Sequence, residues 1–289
     1  MIPPSFEYLR PNTIPEAIAL LQQHGEEAKI LSGGQSLIPM MKLRLARPAY
    51  LIDINRIAGL SYIKEEGGFL KIGGLTREAE LEASSLIHSK YPIILDTTHV
   101  IADPQVRNLA TVGGNLAHGD PANDHPATML ALGAQVVATG PGGERIIPIE
   151  EFFLSLFTTA LQAGEILTEI RIPIPPARSG GGYFKLERKV GDFATAAVAA
   201  YLALDEKGTA QKVGIGLTNV GPTPLKAAKA ENFLRGKKVD AASIAQAAQL
   251  AADEAQPSSD LRGPAEYKKG LVKELAKRAL SRALERASK

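Results

Sequence analysis

Two double-glycine runs, each following a segment rich in β-formers, are the part of this sequence best suited to chemistry. Such a turn can aim successive backbone N–H groups at one point, which makes a binding site for an anion such as a pyrophosphate. Glycine is expected because a side chain would block close approach of the phosphates. A pair of purely structural tight turns is the alternative. The candidates are Ser32, Gly33, Gly34, Gln35 and Ser36 in the first run and Thr111, Gly113, Gly114 and Asn115 in the second.

Two other patterns point to chemistry less strongly. His118, Asp120, Asp124 and His125 could ligate a metal, but the Asp-Pro pair is typical of a turn and Asp124 of a helix cap. The stretch 214–221 resembles a dinucleotide fingerprint, but its third glycine comes too late. No serine lies in a Gly-x-Ser-x-Gly elbow, so a serine nucleophile is not predicted either.

The composition is that of an ordinary globular protein. A length of 289 residues favours two domains, and a net charge of +2 gives no strong field for nucleic acid. The chain has no cysteine, so any iron–sulfur cluster must be held by a partner. The N-terminus lacks the regions of a secretory signal and no run of 18 apolar residues occurs, which predicts a cytoplasmic protein with no transmembrane segment.

The elements around the first glycine run follow from local signals. Thr13 and Glu16 have the spacing of a capping box, and Gly25 is a typical helix end. From about residue 60 the pattern changes to alternating strands. The predicted elements are a helix at 14–24, a strand at 28–31, a short helix at 37–43, a strand at 50–54, strands at 61–64 and 69–72, helices at 76–83, 91–98 and 125–132, strands on both sides of a turn at 140–143, and a strand at 165–172.

A proline-rich stretch followed by the glycine run 179–182 predicts a linker between domains. We therefore expect one domain at 1–176, with lobes at about 1–56 and 57–176, and a second at 177–289. The second domain is expected to hold three strands, at 183–186, 194–204 and 213–220, followed by alanine-rich helices.

Three longer runs together carry a resemblance to a known family. The runs Ser32–Arg44, Ala110–Asp124 and Arg188–Ala197 resemble, in this order, the FAD-binding medium subunit of the xanthine dehydrogenase and carbon monoxide dehydrogenase family. The resemblance spans nearly the whole chain. It implies an α+β fold, in which a two-lobed FAD-binding domain of the vanillyl-alcohol oxidase type precedes a smaller α+β domain with a three-stranded antiparallel sheet and helices.

The resemblance also implies roles for particular residues. Ser32–Ser36 and Thr111–Asn115 match the two pyrophosphate loops, and Asp124 matches an acidic residue that bonds flavin hydroxyls. Ile101 matches an apolar residue beside the flavin, and Lys185 is a candidate near the isoalloxazine. Neither glycine loop contains histidine or cysteine. We therefore expect FAD to bind non-covalently.

The implied function is electron transfer inside a larger complex. A molybdenum cofactor on a large subunit and 2Fe-2S clusters on a small subunit would supply electrons to FAD, within a dimer of heterotrimers. Gln35 stands where carbon monoxide dehydrogenase flavoproteins commonly carry histidine, which counts against carbon monoxide as the substrate. The alternatives are a self-contained FAD-dependent oxidase or reductase of the same fold and a non-catalytic nucleotide-binding scaffold.

Overall fold

The first lobe is a three-stranded parallel sheet with two helices. Its elements are β1 (Glu7–Leu9), α1 (Ile14–His24), β2 (Ala28–Leu31), α2 (Leu37–Lys42) and β3 (Tyr50–Asp53), with a single 3-10 turn at Gly25–Glu27. The computed structural model describes residues 1–289 without a gap. Strand β3 lies between β1 and β2 and is parallel to both. The chain therefore leaves β2 at the same edge of the sheet where β3 ends, and the first glycine run lies at that edge.

Helix α1 begins where the sequence predicts. The Thr13 hydroxyl accepts the N–H of Glu16 at 3.3 Å, and Gly25 ends the helix with φ of 54°. The Glu16 carboxylate accepts the N–H of Asn12 at 2.8 Å and not that of Thr13, so the predicted capping box is only half formed. Buried Ile18 belongs to the same apolar cluster as Ile52 of β3, and this contact holds the helix on the sheet.

The second lobe is built on a five-stranded antiparallel sheet with strand order β4-β5-β10-β6-β7. Helices cover the face that carries buried Leu70, Ile72 and Ile170. Between β5 and the central strand β10 the chain makes six helices, the hairpin of β6 and β7, and a small two-stranded sheet. The elements are β4 (Ile63–Glu66), β5 (Phe69–Gly73), α3 (Glu78–Ala83), α4 (Ser85–Lys90), α5 (Pro92–His99), α6 (Pro104–Arg107), α7 (Val112–Ala117), α8 (His125–Leu132), β6 (Gln135–Gly140), β7 (Gly143–Pro148), a 3-10 turn at Ile149–Glu151, β8 (Phe153–Ser155), β9 (Thr158–Thr159) and β10 (Ile166–Pro173).

The C-terminal region is an antiparallel sheet with strand order β11-β12-β13-β14 and three helices. Three of its strands are those predicted from the sequence, and the two-residue strand β14 is additional. The elements are β11 (Ser179–Leu186), β12 (Ala196–Leu204), β13 (Ala210–Thr218), β14 (Leu225–Lys226), α9 (Ala228–Leu234), α10 (Ala241–Glu254) and α11 (Ala265–Ala287).

Strand β12 is buried on both faces. Its alternate residues Ala197, Ala199 and Tyr201 join the core of the second lobe, while Val198 and Leu202 join the core formed with the C-terminal helices. The C-terminal sheet is thus the layer between two sets of helices. This packing holds the C-terminal region against the second lobe.

The glycines of β13 serve helix packing. A Cβ on Gly214 would stand 1.8 Å from the Ala131 carbonyl oxygen, and one on Gly216 would stand 2.0 Å from that of Ala127. Helix α8 therefore approaches the strand at backbone contact distance. These glycines lie within a strand that precedes another strand, which excludes the dinucleotide fingerprint that their spacing resembles.

The glycine run at 179–182 is not a linker, contrary to the sequence-based expectation. It forms the first half of β11 and pairs with β12 over its whole length. A Cβ on Gly180 would stand 2.6 Å from the Ala283 carbonyl oxygen, so the glycines allow α11 to pack on the strand. The proline-rich segment before β11 remains as the connection. No helix of the protein is both long and apolar enough to span a membrane.

Candidate functional site

The first glycine run forms a turn between β2 and α2 with unused hydrogen-bond donors. The backbone N–H groups of residues 33–36 donate no hydrogen bond within the chain. Gly34 has φ of 74°, a conformation that residues with a side chain rarely adopt. The turn is only partly exposed. Four successive free donors in a half-buried turn are what the predicted anion site requires.

The second glycine run is the first turn of helix α7, and not a loop as the sequence suggested. Thr111 is the N-cap, and its hydroxyl accepts the N–H of Gly114 at 3.1 Å. The N–H groups of Val112 and Gly113 donate to the carbonyls of Thr76 and Gly74. The backbone N–H groups of residues 112–115 are therefore already used inside the protein. What this run offers a ligand is mainly its side chains.

The glycines of both runs are required by the protein itself. A Cβ on Gly33 would stand 2.3 Å from the Leu109 carbonyl oxygen, and one on Gly113 would stand 2.4 Å from that of Gly74. A Cβ on Gly114 would stand 2.7 Å from the Thr111 hydroxyl oxygen. The absent side chains thus leave room for neighbouring backbone and for the cap hydroxyl, which is a reason for glycine in addition to the predicted room for a phosphate.

The two runs meet directly. The hydroxyl oxygens of Ser32 and Thr111 lie 2.7 Å apart, which joins the end of β2 to the start of α7. Asn55, just after β3, donates to the Ser32 carbonyl at 2.8 Å. Arg77 donates to the Asn55 side-chain oxygen at 2.6 Å and also to the Leu109 carbonyl. Burial lowers the pKa of Arg77. Asn55 and Arg77 were not predicted as site residues, and they hold the two runs together.

Asn115 carries an unused acceptor next to this junction. Its side-chain oxygen is buried and has no hydrogen-bond partner. A buried polar atom without a partner is costly in a folded chain, so such an atom suggests a ligand. The Asn115 carbonyl accepts the side-chain N–H of Asn123 at 2.7 Å, which connects the junction to the neighbouring Asp124.

Asp124 lies in a buried polar cluster with two residues of β11. The Tyr183 hydroxyl donates to one carboxylate oxygen at 2.5 Å, and the Lys185 ammonium donates to the other at 3.0 Å. Burial raises the pKa of the Asp124 carboxyl, which the ammonium of Lys185 opposes. Burial, together with the Asp124 carboxylate, raises the pKa of Tyr183 well above its ordinary value. Tyr183 is a cluster member that sequence reasoning missed.

The alternative role of Asp124 as a helix cap is not observed. Asp124 occupies the N-cap position of α8, but its side chain makes no capping hydrogen bond. The carboxylate turns instead toward the C-terminal sheet. Its partners therefore match a site residue better than a capping residue.

Lys185 also connects this cluster to Ile101. The Lys185 ammonium donates to the Val100 carbonyl at 3.0 Å and lies 3.2 Å from the Glu187 carboxylate. The Lys185 side chain is only 2% exposed. Ile101 is 7% exposed and follows Val100 directly. The predicted residues Asp124, Lys185 and Ile101 thus belong to one connected region.

The four potential metal ligands do not come together. Fully buried His125 lies 2.7 Å from the Glu78 carboxylate, while the His118 ring packs near Phe157 with ring centroids 5.0 Å apart. Asp120 accepts the N–H of Ala122, as in a turn. These side chains take part in separate contacts, and Asp124 faces Lys185.

These donors and acceptors therefore suit a ligand that has an anionic part as well as hydroxyl groups. One end of the region offers the free N–H groups of the first turn and the orphan oxygen of Asn115. The other end offers a buried carboxylate and an ammonium, which can bond hydroxyls and polar ring edges. FAD has a pyrophosphate, a chain of hydroxyls and a polar ring in that order, and the residues fit it.

Comparisons with known proteins agree with this geometry. The sequence profile described as the FAD binding domain in molybdopterin dehydrogenase matches residues 4–175, and the CO dehydrogenase flavoprotein C-terminal domain matches residues 182–283. The chain is 47% identical over 287 residues to the carbon monoxide dehydrogenase medium chain of Afipia carboxidovorans, covering 99% of both chains. It is 38% identical to subunit alpha of the 6-hydroxypseudooxynicotine dehydrogenase complex of Paenarthrobacter nicotinovorans, covering 99% of this chain and 97% of that one.

A solved structure has the same fold. The carbon monoxide dehydrogenase of Hydrogenophaga pseudoflava contains a chain that matches with a TM-score of 0.96 and 47% identity, and 99% of each chain is covered. The fold and site thus define a FAD-binding flavoprotein with a two-lobed cofactor domain and a C-terminal sheet domain. The chain belongs to the family of FAD-binding medium subunits of molybdenum hydroxylases, and it is an oxidoreductase subunit.

Proposed function

We propose that FAD binds non-covalently along the connected region from Ser32 to Lys185. The free N–H groups of residues 33–36 bond the pyrophosphate. The buried side-chain oxygen of Asn115 accepts a hydrogen bond from a hydroxyl of FAD, because pyrophosphate oxygens only accept. Asp124 accepts hydrogen bonds from flavin hydroxyls, since a carboxylate oxygen can accept more than the one donor that each receives here. The flavin ring lies beside Ile101 and Lys185.

One observation supports this proposal most strongly. The four consecutive free N–H groups point from a turn that is tied, through the bond between Ser32 and Thr111, to the helix bearing Asn115. The donors and the orphan acceptor therefore lie on the two sides of one junction. A pair of structural turns would have no need for either.

The proposed task of the chain is to hold and orient a redox cofactor. When bound, FAD supplies the capacity to take up and release electrons one or two at a time. The residues of this chain bind the cofactor, orient its ring and keep water from the buried cluster of Asp124, Tyr183 and Lys185. No cysteine is present to hold a cluster, so the electrons arrive from iron–sulfur clusters of a small partner subunit.

The proposal extends to the assembly. The chain works in the cytoplasm with an iron–sulfur small subunit and a molybdenum-cofactor large subunit, as a dimer of heterotrimers. The substrate binds the large subunit. This is consistent with the names of relatives of this chain, which refer to compounds as different as carbon monoxide, 6-hydroxypseudooxynicotine and caffeine. The boundary between the FAD-binding domain and the C-terminal domain lies at residue 176.

Titration of the purified full-length chain with FAD and with ADP tests the proposal. ADP contains the pyrophosphate but neither the flavin ring nor its hydroxyl chain, so both ligands should bind and FAD should bind more tightly. Ser32→Ala should weaken the binding of both ligands, because Ser32 lies at the pyrophosphate end. Asp124→Ala should weaken the binding of FAD by about 1–3 kcal/mol and leave the binding of ADP unchanged. Equal loss of both ligands in Asp124→Ala would contradict the proposed orientation.

A further inference from the structure

The segment Val100–Ala102 makes a strained bend after helix α5. Ala102 has φ of 45°, in the left-handed region that residues with a Cβ seldom occupy. A strained conformation persists only where its surroundings hold it in place. Gly191 of the loop after β11 packs against this bend, because a Cβ there would stand 3.0 Å from the Ala102 carbonyl oxygen.

Two buried cations hold the adjacent carbonyls of this bend. The Lys185 ammonium donates to the Val100 carbonyl, and the Arg107 guanidinium donates to the Ile101 carbonyl at 3.0 Å. Arg107 lies at the end of helix α6 and is only 8% exposed. Hydrogen bonds from charged donors are stronger than those between neutral groups, so the bend is held on two sides.

Glu82 fixes the direction of the Arg107 side chain. Its two carboxylate oxygens accept from Nε and Nη2 of Arg107 at 3.0 and 3.3 Å, while Nη1 remains for the Ile101 carbonyl. The planar guanidinium donates from three of its nitrogens in one fixed plane. A lysine at this position could reach the carbonyl but could not form the fork with Glu82.

We propose that Arg107, oriented by Glu82, is a positioning residue that sets where the Ile101 side chain meets the flavin ring. This inference rests on the proposed placement of Ile101 beside the ring. Arg107 holds the backbone of the contact residue through its carbonyl. It acts on the ring end of the cofactor alone, because its bonds go to Glu82 and Ile101 and to no residue of the pyrophosphate junction.

The experiment compares FAD with ADP in the full-length chain. Arg107→Met removes the donors and keeps an unbranched side chain, so the dissociation constant of FAD should rise roughly tenfold while that of ADP stays unchanged; this factor corresponds to about 1.4 kcal/mol. The absorption bands of the bound flavin should also shift, since the ring changes its apolar neighbour. Arg107→Lys should restore part of the FAD affinity because one donor still reaches the carbonyl.

Arg145→Met is the matched control. Arg145 likewise donates to a carboxylate and a backbone carbonyl, those of Glu165 and Ala160, but it lies on strand β7 away from the bend. It should change neither ligand's affinity nor the flavin bands. Glu82→Gln serves as a second variant if Arg107→Met does not fold, and it should raise the FAD dissociation constant about threefold with no effect on ADP.

The outcomes separate this inference from the proposed function. Unchanged FAD affinity and an unchanged flavin spectrum in the Arg107 variants would overturn the inference, as would equal loss of FAD and ADP, which signals a merely structural role. Failure of the wild type to bind FAD would overturn the proposed function itself. Selective loss of FAD affinity with a spectral shift would establish Arg107 as a positioning residue.

Discussion

Replacement of Gly33 by alanine is the perturbation whose size follows most directly from the structure. The added methyl carbon would stand 2.3 Å from the Leu109 carbonyl oxygen and 2.8 Å from the Ala110 Cα. Ordinary contact requires at least 3.4 Å, and both neighbours are backbone atoms that cannot rotate away. The two glycine runs must therefore separate by roughly 1 Å.

That separation has two consequences. The hydroxyls of Ser32 and Thr111, now 2.7 Å apart, move beyond hydrogen-bonding distance. Strain from the extra carbon costs about 1–3 kcal/mol and the lost hydrogen bond about 1 kcal/mol, so the free energy of unfolding should fall by about 2–4 kcal/mol even without FAD. The free N–H groups of residues 33–36 then no longer point at the pyrophosphate. Loss of one charge-assisted hydrogen bond should lower the affinity for FAD roughly 10–100-fold.

Denaturant unfolding of the apo chain and FAD titration measure these two effects separately. Gly142→Ala is the control, because Gly142 lies in the exposed β6–β7 turn with no atom within 4 Å of an added Cβ and with an ordinary φ. It should change neither quantity. If Gly33→Ala matched the wild type in both measurements, the close approach of the two runs would be refuted.

Three further outcomes are expected. Tyr183→Phe removes a donor to the Asp124 carboxylate, so the apo chain should lose about 1–2 kcal/mol of stability and bind FAD more weakly, as thermal shifts with and without FAD would reveal. Burial raises the pKa of Asp124 above its ordinary 3.8, so this carboxyl favours folding most at low pH and that contribution is lost as the pH rises through the raised pKa. The unfolding free energy of the wild type minus that of Asp124→Asn should therefore fall with rising pH, and an increase would contradict the burial argument. Acid precipitation should release the flavin into the supernatant, whereas yellow colour retained by the precipitated chain would exclude non-covalent binding.

The elements around the first glycine turn were predictable because their signals are local. Thr13 and Gly25 bound α1 as their residue types indicate, and β2 has the predicted limits, 28–31. The turn then follows an apolar strand at the edge of the sheet, where parallel strands place their carboxyl ends. The free donors of residues 33–36 agree with this interpretation.

The errors arose where a glycine serves a distant partner. Gly113 lies in a helix because its missing side chain admits the carbonyl of Gly74, and Gly180 lies in a strand because α11 packs on it. Local composition favours a turn in the first case and a linker in the second. Both contacts depend on tertiary packing, which a local pattern does not contain.

The site residues that were missed have the same explanation. Asn55, Arg77 and Tyr183 bond groups that are far away in the chain, and none belongs to a recognisable motif. Asn55 did offer one signal, a polar residue at the end of a predicted strand on the same edge as the glycine turn. Arg107 has a buried role that only its bonds to Glu82 and Ile101 reveal.

Native mass spectrometry of the complex isolated from its source would show whether this chain is one part of an electron-transfer assembly. We expect one non-covalent FAD on each copy of this chain, together with an iron–sulfur chain and a molybdenum-cofactor chain in equal number. The isolated chain should retain its FAD but should not hydroxylate the substrate of the complex. Full turnover by the single chain, without molybdenum or a partner, would instead show that the protein is a self-contained flavoenzyme.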